Sequence, residues 1–132
     1  MFDRRYLKGF LLVGLALSVV GCDSPSLVSI QVTPTNEFFS DNPGLTAQYT
    51  AIGTFTQGSH PKTTQDITSE VTWASSSPEV ATISSTGLVT SVAAAVGTTT
   101  ITASMNGFTG LIRATATAQV CAPGSSVTTS GC

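Results

Sequence analysis

Residues Val71–Ala103 read VTWASSSPEVATISSTGLVTSVAAAVGTTTITA. Val71 and Trp73 fall on one face of an alternating run, with Thr72 between them, so the indole is expected in the core, where an aromatic side chain buries a large area. Ser76-Ser77-Pro78-Glu79 reads as a turn. A short apolar strand follows over Val80–Ser84, with Ala81 and Ile83 on one side. Ser85-Thr86-Gly87 turns the chain again into Leu88–Val92. After an alanine-rich connection to Gly97, Thr99, Ile101 and Ala103 alternate with Thr98, Thr100 and Thr102. A period of two repeated between turn signals means short antiparallel strands, and several of them in series mean a sandwich or barrel.

The pattern extends in both directions. Upstream, Val28, Ile30 and Val32 alternate with Ser29, Gln31 and Thr33 until Pro34 removes a ladder donor. Thr35–Gly44 carries Asn36, Asp41, Asn42, Pro43 and Gly44 and reads as a loop. Leu45–Phe55 reads as a second strand, with Ala47, Tyr49, Ala51, Gly53 and Phe55 on one face. Thr56–Gln65 reads as a polar loop. Downstream, Asn106-Gly107 is a tight-turn dipeptide. The last strand is the most regular: Ile112, Ala114, Ala116, Ala118 and Val120 alternate with Arg113, Thr115, Thr117 and Gln119. Such regularity marks an antiparallel sheet with one wet face. Trp73, Tyr49, Ile83 and Ile101 are the expected core residues.

Composition narrows the function classes. Charged residues are 9% of 132, and the apolar fraction of 41% is too high for a disordered chain. Of the basic residues, Arg4, Arg5 and Lys8 lie at the very start. Beyond position 21 only Lys62 and Arg113 remain, against Asp23, Glu37, Asp41, Asp66, Glu70 and Glu79. No basic patch exists to neutralise phosphates, so nucleic acid is not an expected partner.

The N-terminus reads as an address. Arg4, Arg5 and Lys8 precede an apolar run from Phe10 to Val20, the layout of a secretory signal. The run is too short to span a bilayer, which takes about 20 apolar residues. Val19-Val20-Gly21-Cys22 resembles the lipobox of bacterial lipoproteins, with valine where leucine is usual. The resemblance implies cleavage between Gly21 and Cys22 and acylation of Cys22, and hence a membrane partner reached through acyl chains. Asp23 resembles an inner-membrane retention signal of some Gram-negative bacteria. The expected organisation is a signal peptide over 1–21, a lipidated tether over 22–26, a domain over 27–120 and a Gly/Ser/Thr tail over 121–132. With Cys22 lipidated, Cys121 and Cys132 remain as a candidate disulfide in an oxidising compartment; the alternative is two free thiols.

The segments Leu27–Pro34, Leu45–Ala51, Asp66-Ile67-Thr68, Val71–Ser76, Pro78–Ser84, Gly87-Leu88-Val89 and Gly97–Ala103, in that order, resemble the group 2 bacterial immunoglobulin-like domain of invasin- and intimin-type adhesins. The resemblance implies an all-β, immunoglobulin-like antiparallel sandwich of about seven strands. Two features depart from it: a long alanine-rich stretch before Gly97 and the Cys121/Cys132 tail.

No catalytic, metal or cofactor site is expected. His60 is the only histidine, and it stands in a loop without the partners a triad or zinc centre needs. Asp66 reads as an Asx turn or cap before the Trp73 strand; a calcium role needs several converging oxygens. Trp73 as a sugar-stacking platform is the alternative to its core role. The expected function is a lipid-anchored extracytoplasmic binding or adhesion module with a protein or glycan ligand. The alternative is a structural or assembly lipoprotein that holds an envelope complex at the membrane.

Overall fold

The computed structural model describes residues 23–40, 42, 44–92, 96–128 and 130–132. Among them run ten strands: β1 (Ser26–Thr33), β2 (Asn36–Phe39), β3 (Thr46–Gln48), β4 (Thr50–Thr56), β5 (Thr63–Asp66), β6 (Thr72–Ser75), β7 (Ala81–Ile83), β8 (Leu88–Ser91), β9 (Gly97–Gly107) and β10 (Gly110–Val120). No helix occurs among the described residues. The fold is an all-β immunoglobulin-like sandwich.

One layer is the four-stranded sheet β2-β10-β9-β6. Its spine is the β9–β10 hairpin, paired without irregularity from Gly107↔Gly110 to Gly97↔Val120. The alternation on β10 holds throughout: Ala116, Ala118 and Val120 are buried, while Arg113 and Thr115 face water. The other layer joins two three-stranded sheets, β1-β4-β5 and β3-β8-β7. They share one run of chain, because only Tyr49 separates β3 from β4. Leu27, Val32, Tyr49, Ala51, Ile67, Val89, Ile101 and Ala118 meet between the layers in a single apolar core.

Four expectations are corrected. Asn36–Phe39, read as part of a loop, is β2, which pairs parallel with β10 from Asn36↔Thr117 to Phe39↔Val120. The chain reaches it by crossing between layers at the cis Thr33–Pro34 bond. Thr63–Asp66, also read as loop, is β5, antiparallel to β4 and exposed along its whole length. The strand read over Leu45–Phe55 is divided at Tyr49, whose backbone N–H donates instead to Gly87 O at 2.8 Å. Gly87 has φ +79°, a conformation that costs glycine little. Finally, the hairpin turn is Phe108-Thr109, not Asn106-Gly107. Gly107 stands inside β9 because a Cβ there would lie 2.6 Å from Leu27 O. Close approach to β1, and not turn formation, requires that glycine.

The tail closes the far end of the sandwich. Cys121 is buried and its N–H donates to Phe39 O at 2.9 Å. Its sulfur is bonded to Cys132. The ring between them folds back beside β2, where Val127 and Thr128 face Asn36, Glu37 and Phe38 across a groove of about 350 Å³. The bridge therefore does more than restrain a loose tail: it holds chain against the edge of the four-stranded sheet.

Candidate functional site

The expected site residues fall into three groups. Gly21 and Cys22, with the rest of the segment expected to be a signal peptide, lie outside the described residues. Tyr49 and Ile101 are fully buried. Trp73 and Ile83 are half-buried and pack against the core from its margin; β6 and β7 are edge strands among the described residues.

The polar motifs are used internally. Thr68 receives the Trp73 indole N–H on its carbonyl at 2.8 Å and the Ala51 N–H on Oγ1 at 2.9 Å. Asp66 Oδ1 accepts the Thr68 N–H at 2.9 Å. Hydrogen bonds from the Thr68 side chain and backbone lower the Asp66 carboxyl below its ordinary range. Asp66-Ile67-Thr68 is thus an Asx turn that drives Ile67 into the core and positions the indole. Tyr49 spans the sandwich, its hydroxyl donating to Thr117 O at 2.7 Å. Burial, with a smaller contribution from Glu37, raises its pKa well above that of a free phenol.

The serines before Pro78 converge on buried Thr99, and proton counting assigns every bond. Ser75 Oγ spends its single proton on Ala81 O at 2.7 Å. At the 2.7 Å Ser75–Thr99 contact, Thr99 must therefore donate. Thr99 Oγ1 then accepts from Ser77 N–H at 2.9 Å and Ser76 Oγ–H at 3.3 Å. Ser76 Oγ in turn accepts the Thr100 N–H at 2.9 Å. All the partners are hydroxyls or backbone groups, with no carboxylate or imidazole to withdraw a proton. This cluster is a lock between β6, the following turn and β9. No side-chain polar atom buried among the described residues lacks a partner. No group of His, Cys, Asp or Glu there is arranged to hold a metal.

Two surfaces remain uncommitted. The first is the outer face of β2-β10-β9-β6. Thr98, Thr100, Thr102 and Ser104 on β9 stand beside Arg113, Thr115, Thr117 and Gln119 on β10, with Thr102 opposite Thr115 and Thr100 opposite Thr117. Thr72 extends this face on β6, opposite Ser104. On β2, Asn36 extends it and receives the Thr117 hydroxyl at 2.7 Å. Arg113 is the one charge in this set, so the face is hydroxyl-rich and nearly neutral. The second surface is the end where the chain enters. A groove of about 300 Å³ there is lined by Asp23, Ser26, Val28, Gly58, Phe108 and Thr109 among others.

The family model for the bacterial Ig-like domain (group 2) matches residues 28–112. The chain belongs to this family. The matched segment covers β2 through β9, nearly all of β1 and the first residues of β10; the rest of β10 completes the same sheet. The group 2 Ig-like chain is also 39% identical over 80 residues to Ice-binding protein 1 of Shewanella frigidimarina (strain NCIMB 400). That similarity takes in 61% of this chain and 8% of the relative, so the chain spans less than a tenth of that protein. The Asx turn, the Trp73–Thr68 bond and the serine lock all lie inside the family segment and serve the fold. The two free surfaces, in contrast, were not legible as sites. The hydroxyl face was visible only as the polar half of an alternation, and Phe108 gave no periodic signal at all.

Proposed function

We propose that this chain is a lipid-anchored, extracytoplasmic binding or adhesion module without a catalytic role. The observation that carries the binding reading is the hydroxyl face of β2-β10-β9-β6. It runs across four strands and offers donors and acceptors with little charge. Such a face matches a neutral polar partner, a glycan or a protein surface, through many weak hydrogen bonds and bridging waters. Family membership supports the same reading, since this Ig-like domain recurs in adhesins. The Val19–Cys22 lipobox supports the anchor, and acyl chains contribute about 0.8 kcal/mol per buried CH₂. The relative's name describes a far longer protein, and ice is not taken over as a ligand.

The test has two parts. Cys22→Ala should abolish acyl labelling in cells; persistent labelling overturns the anchor. Protease applied to intact cells, with a periplasmic protein as lysis control, should remove the domain. Thr100→Glu with Thr115→Glu should then lower cell attachment while leaving the melting temperature in place. Unchanged attachment removes the face from the binding site. Protection from the protease favours the second reading, a periplasmic assembly lipoprotein. One observation supports that alternative: β5 ends its layer with no strand on its outer edge among the described residues, and such an edge accepts an added strand.

A further inference from the structure

We propose that the β9–β10 hairpin tip is a lipid contact, with Phe108 and Leu111 seated in the headgroup–acyl boundary of the membrane that holds Cys22. This rests on the acylation of Cys22 put forward above. Phe108 is 84% exposed on a two-residue turn, Leu111 is 52% exposed three residues on, and Val28 is 40% exposed on β1. Phe108 and Val28 line the same groove as Asp23.

Tether length decides what covers this tip. Cys22 lies outside the described residues but is joined to Asp23 by one peptide bond, which fixes their Cα atoms about 3.8 Å apart. Asp23 itself touches the domain, its carbonyl accepting from the Gln57 side chain and a carboxylate oxygen lying 2.7 Å from where a Cβ on Gly58 would be. The effective tether is therefore about one residue long. Acyl chains on Cys22 would therefore enter the bilayer next to Asp23, which lines the same groove as Phe108. Interfacial side chains reach roughly 5–10 Å into that boundary, a depth comparable with a phenyl ring on a tight turn.

The tip is held rigidly as well as close. The hairpin ladder is regular to its last pair, Gly107↔Gly110, and the Gly107 backbone lies against Leu27 O. The backbone of the turn that carries Phe108 is thus fixed relative to the domain. Among the described residues that line the groove there is no lysine or arginine, and Asp23 is the one charge. The contact is apolar and should be insensitive to salt, unlike a polybasic membrane patch.

The experiment uses the full chain, purified with its acyl group and reconstituted in phosphatidylcholine vesicles. Phe108→Trp adds a second indole to that of Trp73, and the wild type supplies the background. The added emission should be blue-shifted and should lose most of its intensity when brominated phosphatidylcholine replaces the ordinary lipid, at low and high salt alike. Leu111→Trp gives a second reading if the first variant folds poorly. Acyl mass present on Cys22 with unquenched, water-like emission overturns the lipid contact and leaves the anchor standing. Absence of the acyl mass overturns both, and mass spectrometry of the same sample separates the two failures.

Discussion

Replacing Thr99 with valine sets two physical expectations against each other. Valine is nearly isosteric with threonine and more apolar, so burial alone makes Thr99→Val neutral or stabilising at a fully enclosed site. Burial alone also makes Thr99→Ser the worse variant, since serine lacks a methyl group worth about 0.8 kcal/mol. The proton assignment at Thr99 reverses that order. Valine removes a donor to Ser75 and an acceptor for Ser77 N–H and Ser76 Oγ–H. The Ser76 hydroxyl can turn to water, but the Ser77 N–H is left part-buried without a partner. An orphaned donor of this kind costs about 1–3 kcal/mol, and the lost Ser75 bond adds to it. The expected total is about 2–3 kcal/mol for Thr99→Val, against about 1 kcal/mol for Thr99→Ser. Urea unfolding followed by Trp73 emission measures both, the chain having one tryptophan. In a thermal scan, each kcal/mol lowers the midpoint by about 4–8 °C for a domain of this size. A Thr99→Val protein as stable as wild type, with Thr99→Ser below it, would refute the assigned network and make Thr99 an ordinary packing residue.

Three further outcomes are expected. Cys121→Ala with Cys132→Ala should lower stability by about 2–3 kcal/mol, the chain-entropy value for a loop of this length; urea midpoints with and without reductant check it, and reduction should move only the wild type. Asp66 has a folded-state pKa below its ordinary value, so its contribution is present above the unfolded pKa of about 3.9 and is lost as pH falls through the lower, folded value. Asp66→Asn should flatten that part of the curve of urea midpoint against pH, and an unchanged acid limb would show that the Asx turn is not coupled to folding. Trp73→Phe should cost about 1 kcal/mol, the net worth of the lost indole bond to Thr68 O, and a loss several-fold larger would mean that the ring's packing dominates.

The fold was legible wherever one face of a strand is buried and the other wet. β10 could be read residue by residue because Ala116, Ala118 and Val120 alternate with Arg113, Thr115 and Thr117. β5 could not, because Thr63–Asp66 is exposed on both faces and no period survives. β2 escaped for another reason: four residues pair parallel with β10 some eighty positions away, a register no local pattern encodes. Gly107 misled because a close backbone approach and a turn both call for glycine, and the sequence does not separate them. Thr99 shares a face with Ile101 and Ala103 in the alternation, and Ile101 is an expected core residue. That it gathers Ser75, Ser76 and Ser77 depends on the pairing of β6 with β9, which only the assembled sheet supplies. The candidate surfaces were the least legible, because an outward hydroxyl or an exposed phenylalanine makes no pattern until its neighbours are known.

The β9–β10 hairpin also sets a height. β10 has eleven residues and so runs about 34 Å at the usual rise per residue. It starts at the chain-entry pole, beside Phe108, and finishes at the opposite pole, where the Cys121–Cys132 ring folds over β2. With the entry pole seated on lipid, the hydroxyl face stands upright like the side of a post and looks sideways along the bilayer. Its neighbours are then molecules of the same envelope, within a layer one domain deep, and a partner on another cell comes into reach only where surface polymers leave that shallow layer open.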